Sequence, residues 1–348
     1  MELPGGYKLK CINDDFQVIE VPLVPSLVLK RPYKFTYVWI QKSGFTTFEV
    51  IEQLKNFLKL KFEDINSQGL KDEDAVTEQL ISIRKILKYR DIVGFNKKHK
   101  GKNKFSKIKY IFGYGNEPVR ERMLHGNSFR IVVRNLSDNL AKELIDYIDS
   151  RRYHYFINYY DCQRFGMPGG PYNTYLIGRA ITKNDWKGAY DLIKVTNNNF
   201  PQISERSKNR ADFKNLFKSL NPQKIYFFIA SYNSFLWNTE ASLMVRKCTK
   251  SKKHRFENVR DLYFPVRESF LCPQFCDIKG YEFSAENFLV KRKIYNRNLI
   301  VATTIYIDKA VDDELYSGKK KVVLSFFLPT GSYATMIIKQ LFLRLKNK

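Results

Sequence analysis

The apolar pattern of the chain alternates between two periods. Residues 16–20 and 35–40 carry the β-branched and aromatic content of strands. Thr46 followed by Glu49 has capping-box spacing, and it opens a helix with Val50, Ile51, Leu54, Phe57 and Leu58 on one side. Residues 75–83 and 86–95 read as strands, and 129–134 as an alternating strand after Gly126-Asn127. Ser137 or Asp138 starts a helix bearing Leu140, Leu144, Ile145 and Ile148, and 153–157 returns to strand. This is an α+β pattern with a sheet as scaffold.

The character changes near residue 183. Residues 185–195 read as a helix capped by Asn184, and 204–220 as another. Asn221-Pro222 places an N-cap before a proline at the first helical position, opening an aromatic-rich helix that ends near residue 248. Its most apolar stretch, 225–237, contains Ser231, Asn233 and Ser234 and falls short of the roughly 20 residues of a membrane span. A buried helix is expected there. Strand patterning returns at 299–307 and 322–328, and 334–345 reads as a helix. A helix-rich block thus separates two sheet-rich parts. The expected division is 1–183, then an inserted domain at 184–306, then 307–348.

Charge narrows the function classes. Sixty Lys and Arg against 35 Asp and Glu give a formal charge of +25 in 348 residues. Such an excess is costly through self-repulsion, and a polyanion that releases counterions on binding is the partner that offsets it. Six lysines crowd residues 97–107, Lys98 and Lys100 among them, with almost no apolar residue between. A flexible loop that meets phosphates is expected. Residues 251–255, with Lys252, Lys253, His254 and Arg255, form a weaker basic patch. Five scattered cysteines form no disulfide framework, and Cys272 and Cys276 have no histidine near them in sequence. No metal site is expected, and a reduced, cytoplasmic interior is. The N-terminus shows neither the basic start nor the apolar core of a signal peptide.

One acidic segment carries candidate chemistry. In 69–79 a glycine, Gly69, introduces a turn that holds Asp72 beside Lys71, just before the strand 75–83. The turn puts the carboxylate at the edge of a sheet, within reach of a substrate. Asp72, Glu73 and Asp74 could alternatively offer carboxylate oxygens to Mg²⁺.

Four segments in order resemble the TruD family of tRNA pseudouridine synthases. The first runs from Lys10 through Asp15-Phe16 to Val18 and Glu20, with Asn13 and Asp14 where the family has Pro and Glu. The second is Gly69-Leu70-Lys71-Asp72, continuing to Thr77 and Gln79. The third joins Gly126-Asn127 and Phe129 to Asn158-Tyr159-Tyr160-Asp161-Cys162-Gln163-Arg164-Phe165-Gly166, where Tyr160 and Asp161 replace Phe and Gly. The fourth runs from Leu324 through Phe326, Leu328 and Pro329 to Gly331, Tyr333 and Thr335.

The resemblance implies a catalytic domain on a mixed, largely antiparallel sheet, with a helix-rich α/β domain inserted before the last segment. It implies isomerisation of a uridine in RNA, uridine 13 of tRNA in the family. The C1′–N1 bond breaks, the uracil turns and a C1′–C5 bond forms, without cofactor or metal. Asp72 matches the family's catalytic carboxylate, as nucleophile or as base. Lys10 matches a basic residue that would favour the ionised Asp72. Tyr160 and Tyr333 match aromatic positions that could stack on an extruded base. Asn158 could orient base or carboxylate, while Arg164 and Lys71 could meet phosphate. A monomer binding tRNA is expected, with no membrane and no partner protein. The rival reading is a basic RNA-binding protein without catalysis. Asp161 in place of Gly raises the question of whether that turn needs backbone freedom.

Overall fold

The computed structural model describes residues 6–23, 27–28, 31–120, 123–166, 171–196, 210–219, 222–256, 260–265, 267–268, 277–286 and 289–346. The chain begins with β1 (Phe16–Pro22), β2 (Phe35–Ser43), α1 (Thr47–Leu58), β3 (Ile65–Ser67), β4 (Val76–Ile83), α2 (Tyr89–Lys98), β5 (Phe105–Gly115), β6 (Leu124–Leu136) and α3 (Asp138–Asp149). Next come β7 (His154–Ile157), α4 (Thr174–Thr182), α5 (Trp186–Thr196), α6 (Arg210–Ser219), α7 (Pro222–Cys248), β8 (Ser251–Phe256), β9 (Arg260–Pro265), β10 (Asp277–Glu286), β11 (Leu289–Asn298) and β12 (Ile300–Thr303). Last are β13 (Ile305–Ile307), β14 (Val311–Asp312), β15 (Lys320–Pro329) and α8 (Ala334–Leu345).

Two compact units result, Met1–His154 with Thr303–Gly331, and Tyr155–Ala302 with Ser332–Lys348. These units divide at 154/155, 302/303 and 331/332, against the expected boundaries at 183/184 and 306/307. The first expected boundary falls between α4 and α5, which share one core through Ile177, Ile181, Trp186 and Tyr190. The closing helix α8 also belongs to the second unit.

In the first unit the described strands form one sheet in the order β13-β15-β6-β1-β4-β2-β5, with β14 on β15 and β3 on β4. The pair β1–β4 is parallel, and the other described pairs are antiparallel. The mixed, mostly antiparallel sheet and α+β class are as expected. Helix α1 starts where its capping box predicts. Glu49 N donates to Thr46 Oγ1 at 3.2 Å and Thr46 N donates to Glu49 Oε2 at 2.6 Å. Such a cap contributes about 1 kcal/mol. Its apolar side, Val50, Ile51, Leu54 and Leu58, meets Val38, Ile40, Ile81 and Phe95 in one core.

Two expectations fail in this unit. Residues 86–95, read as a strand from Ile86, Ile92 and Val93, contain the start of α2 instead. Asp91 accepts a hydrogen bond from Lys88 N at 2.8 Å, capping the helix locally, and Phe95 is the position it buries. The basic segment 97–107 is not one loop. Lys97 and Lys98 close α2, Lys107 lies in β5, and only 99–104 connect them.

In the second unit α7 is the central element. Ile225 and Ile229 join a core with α4, α5 and α6, while Trp237, Ala241 and Val245 join Leu262, Leu299, Met336 and Leu343. Gly178 lets α4 approach α7, since a Cβ there would come 2.0 Å from the Phe228 carbonyl oxygen. Helix α4 and the antiparallel hairpins β8–β9 and β10–β11 were not predicted. Helix α5 is capped by Asp185, whose Oδ1 accepts from Gly188 N at 2.9 Å, and not by Asn184, which has φ 57°. Residues 204–209 and 220 of the expected second helix, Asn221, Cys272 and Cys276 lie outside the described residues. Among described helices, none is long and apolar enough to cross a membrane.

Candidate active site

Asp72 sits in the turn that leads into β4, a strand inside the sheet with β1 and β2 on either side. The carboxylate thus stands at a strand end, not at the sheet edge. It is 44% exposed and its Oδ2 lies 2.7 Å from Lys10 Nζ. Lys10 is held in turn. Its ammonium lies 4.4 Å from the centre of the Phe16 ring, and its backbone has φ 55°. The loop after it folds back on Asp15, whose carboxylate accepts from Cys11 N and Ile12 N at 3.1 and 3.2 Å. Asp15 also pairs with buried Arg134 of β6 at 2.8 Å. The first two motifs, 62 residues apart, therefore converge on one ion pair.

Gly69 does not shape this turn. A Cβ there would meet nothing nearer than 3.9 Å. Lys42, at the end of β2, holds the turn instead, and the sequence pattern did not single it out. Its side chain is fully buried. Nζ donates to the carbonyls of Asp72 at 2.7 Å, Phe45 at 2.8 Å and Lys71 at 3.3 Å. Burial pushes its ammonium down to about 8, against the opposing pull of Asp72. The available signal was a lysine following Val38 and Ile40 at the two-residue spacing of a strand face. Neutral bonds complete the frame, with Gly44 N on Glu73 O at 3.1 Å and Lys71 N on Thr47 Oγ1 at 2.9 Å.

Lys71, expected at a phosphate, is engaged within the protein. Its Nζ lies 2.7 Å from Glu20 Oε1, and the two side chains are 7% and 0% exposed. Glu20 Oε2 also accepts from Leu80 N at 2.9 Å, and burial pushes the Glu20 carboxyl up despite Lys71. A buried charge needs such a partner, so Lys71 points inward. Lys98, Lys100, Lys102 and Lys104 are exposed. Lys104 Nζ lies over the Phe45 ring at 4.5 Å, and Ser43 Oγ donates to Asn103 O at 3.2 Å, so the basic turn is tied to the end of β2.

The remaining expected residues lie in the second unit. Asn158 is buried and its amide is committed to the frame. Nδ2 donates to Asn298 O at 3.2 Å, and Oδ1 accepts from Arg297 Nη2 at 3.0 Å. A role in orienting base or carboxylate does not fit that bonding. Tyr160 is fixed by Asn238, which accepts from its N–H and donates to its carbonyl, both at 2.9 Å. Its ring meets Trp237 and Tyr333 edge-on at 5.8 and 5.9 Å, and Arg297 covers one face at 3.9 Å. At most one face remains for a base. Tyr333 is half-buried, and burial pushes its phenol up to about 12. Arg164 Nε donates to Ser234 Oγ at 3.1 Å, with its guanidinium 5.9 Å from the Tyr160 ring centre.

Asp161 needs no glycine-like backbone, having φ −89°. Its side chain caps the turn 162–164 through Cys162 N at 2.7 Å and pairs with buried Lys339 at 2.7 Å. Burial opposes its charge, yet Lys339 and the Thr335 hydroxyl hold the carboxyl below its ordinary range.

A solvent-reachable carboxylate paired with one lysine, on a basic α+β protein, can act as nucleophile or base toward an anionic polymer. Comparison with known proteins gives that chemistry a family. The family model for tRNA pseudouridine synthase D (TruD) matches residues 2–209. The tRNA pseudouridine synthase D of Leptospira interrogans is 25% identical over 406 aligned residues, covering 97% of this chain and 96% of that protein. The one from Aquifex aeolicus is 22% identical, covering 96% and 98%. A crystal structure from Methanosarcina mazei, described as a tRNA pseudouridine synthase D, shares the fold with a TM-score of 0.60 at 22% identity, covering 98% of this chain and 94% of that one. The chain belongs to the TruD family of tRNA pseudouridine synthases. It is an isomerase acting on tRNA.

Proposed function

We propose that the protein converts one uridine of tRNA, uridine 13, to pseudouridine in the cytoplasm, with Asp72 as the catalytic carboxylate. The observation that carries this reading is the 2.7 Å ion pair between Asp72 and Lys10, two residues from separate family motifs. Lys10 aims the carboxylate. Tyr333 and Tyr160 serve as aromatic contacts for RNA bases, which offset the few kcal/mol of unstacking a target base. Arg164, Lys98 and Lys100 meet phosphates. Lys71 and Asn158 support the frame and contact no substrate.

The test is Asp72→Asn. Single-turnover pseudouridine formation should fall at least ~10³-fold, about 4 kcal/mol of barrier, while tRNA affinity changes little. Mapping pseudouridine in tRNA from cells with and without the protein locates the position. An Asn variant that works at near-normal rate excludes Asp72. A modified position other than 13 excludes only the site assignment.

A further inference from the structure

We infer that Lys42 is a positioning residue for catalysis: by donating to the carbonyls of Phe45, Lys71 and Asp72, its ammonium fixes the place from which the Asp72 carboxylate meets the nucleotide. The inference rests on the reading of Asp72 as the catalytic group.

Three carbonyl oxygens converge on Lys42 Nζ, at 2.7, 2.8 and 3.3 Å. An ammonium has three N–H donors, one for each. A neutral amine keeps two and turns a lone pair toward the third carbonyl. The shortest of the three bonds falls on the backbone of residue 72 itself. Neutral bonds from Gly44 and Thr47 hold the flanks, at residues 73 and 71. Phe45 and Thr47 border the start of α1, so Lys42 ties the Asp72 turn to the end of β2 and the entry of α1 together.

The setting argues that the charge is required. Lys42 is fully buried beside the apolar core residues Val38 and Ile40 of the same strand. A buried ammonium is costly unless hydrogen-bonded, and a neutral side chain would avoid that cost. The charged groups that act on it are Asp72, Lys71 and Glu73 from the turn and Glu49 from α1. Asp72, Glu73 and Glu49 favour the proton, while Lys71 and burial oppose it. Lys42 is therefore poised to lose its proton at a mildly alkaline pH of about 8, far below an ordinary lysine at 10.5. Deprotonation breaks the three-way clamp and loosens the turn that carries Asp72.

The experiment follows single-turnover pseudouridine formation at saturating tRNA from about pH 6.5 to about pH 9.5 in wild-type, Lys42→Met and Asp72→Asn proteins. Thermal melts and tRNA affinity serve as controls. The wild-type rate should fall about tenfold per pH unit above about pH 8. Lys42→Met should be about 10²-fold slower near neutrality, the cost of a small misplacement, and should show no alkaline fall. Its tRNA affinity should stay within about threefold of wild type. A wild-type rate that stays flat, or an alkaline fall that persists in Lys42→Met, overturns the inference. Should Lys42→Met fail to fold, Lys42→Arg decides. Its guanidinium stays cationic, so the alkaline fall should vanish, and its persistence overturns the inference. Asp72→Asn separates the two readings. If that variant remains active, the premise is lost. If it is inactive while the wild-type profile is flat, only the role of Lys42 is lost.

Discussion

The Asp72 turn with its support from β2 and the basic turn before β5 both place lysines, and they use them in opposite ways. In the first, Lys42 and Lys71 are buried, and their ammonium groups bond to backbone carbonyls and to Glu20. Residues 99–104 and the end of α2 instead hold Lys98, Lys100 and Lys102 out in solvent. A buried cation fixes geometry, because leaving its partners is expensive in a poorly solvated site. An exposed cation fixes little, but it exchanges counterions with a polyanion at little cost. The net charge of +25 is thus a sum over two kinds of charge, and only the exposed kind should respond to salt.

The largest effect expected from this contrast is on binding. If the exposed lysines and arginines meet about 6–10 phosphates, tRNA affinity should drop roughly 10³–10⁵-fold between about 50 and about 200 mM salt. Replacing Lys98, Lys100 and Lys102 by Ala should weaken binding and make the salt slope shallower by about 0.9 for each phosphate no longer neutralised. The rate at saturating tRNA should persist. Lys104 is left intact in that variant because it lies over Phe45, next to the Lys42 clamp. Gel-shift titrations at two salt concentrations check this. An unchanged slope would mean that the basic turn takes no part in holding RNA.

Lys71 tests the other side of the contrast. Lys71→Met strips Glu20 of its partner inside the sheet, and breaking a buried pair this way costs about 3–5 kcal/mol. The deficit should be read in folding stability, by denaturant titration, and not in the salt dependence of binding. It should also depend on pH in a definite sense. Burial already raises the Glu20 carboxyl above its ordinary 4.5, and losing Lys71 raises it further. A group whose carboxyl is raised in the folded state favours folding at low pH, where it is protonated. The Lys71→Met deficit should therefore shrink as pH falls through the raised Glu20 value. A Lys71→Met protein of normal stability but flattened salt slope would instead make Lys71 a phosphate contact.

What the sequence made legible follows the same division between local and distant causes. The capping box of α1, the strands β1, β4 and β15 and the span of α8 depend on neighbours in sequence, and all stand where pattern placed them. Residues 86–95 misled because a short run with Ile86, Ile92 and Val93 suits either period, and the deciding feature is the Asp91 cap. The hairpins β8–β9 and β10–β11 carry many charged residues and few alternating apolar ones, so strand periodicity is faint there. Motif spacing led to the Asp72–Lys10 pair. It did not reveal that Lys71 turns inward, since that depends on Glu20, 51 positions away in the numbering. Nor could it reveal Lys42, whose three carbonyl partners come from two segments that meet only in the folded sheet.

The smallest effect concerns Thr46, which sits between two residues that hold the Asp72 turn. Phe45 offers its carbonyl to Lys42, and Thr47 offers its hydroxyl to Lys71 N. If the turn is set by the buried cation, weakening the neutral helix cap beside it should cost stability without displacing Asp72. Thr46→Ala should remove about 1 kcal/mol of folding stability near neutral pH and leave the rate at saturating tRNA within about twofold. The loss should diminish in acid. Glu49 is held below its ordinary 4.5, first by the Thr46 N–H and then by the Thr46 hydroxyl. A depressed carboxyl contributes stability that is present above its unfolded value and is lost as pH falls through its folded value. Wild type and Thr46→Ala should therefore converge below about pH 4.5, where part of the box is lost in both. Urea titrations at neutral and acid pH, paired with single-turnover rates, measure the two quantities. A rate loss as large as that of Lys42→Met would show that the helix entry, and not the buried ammonium, places the carboxylate.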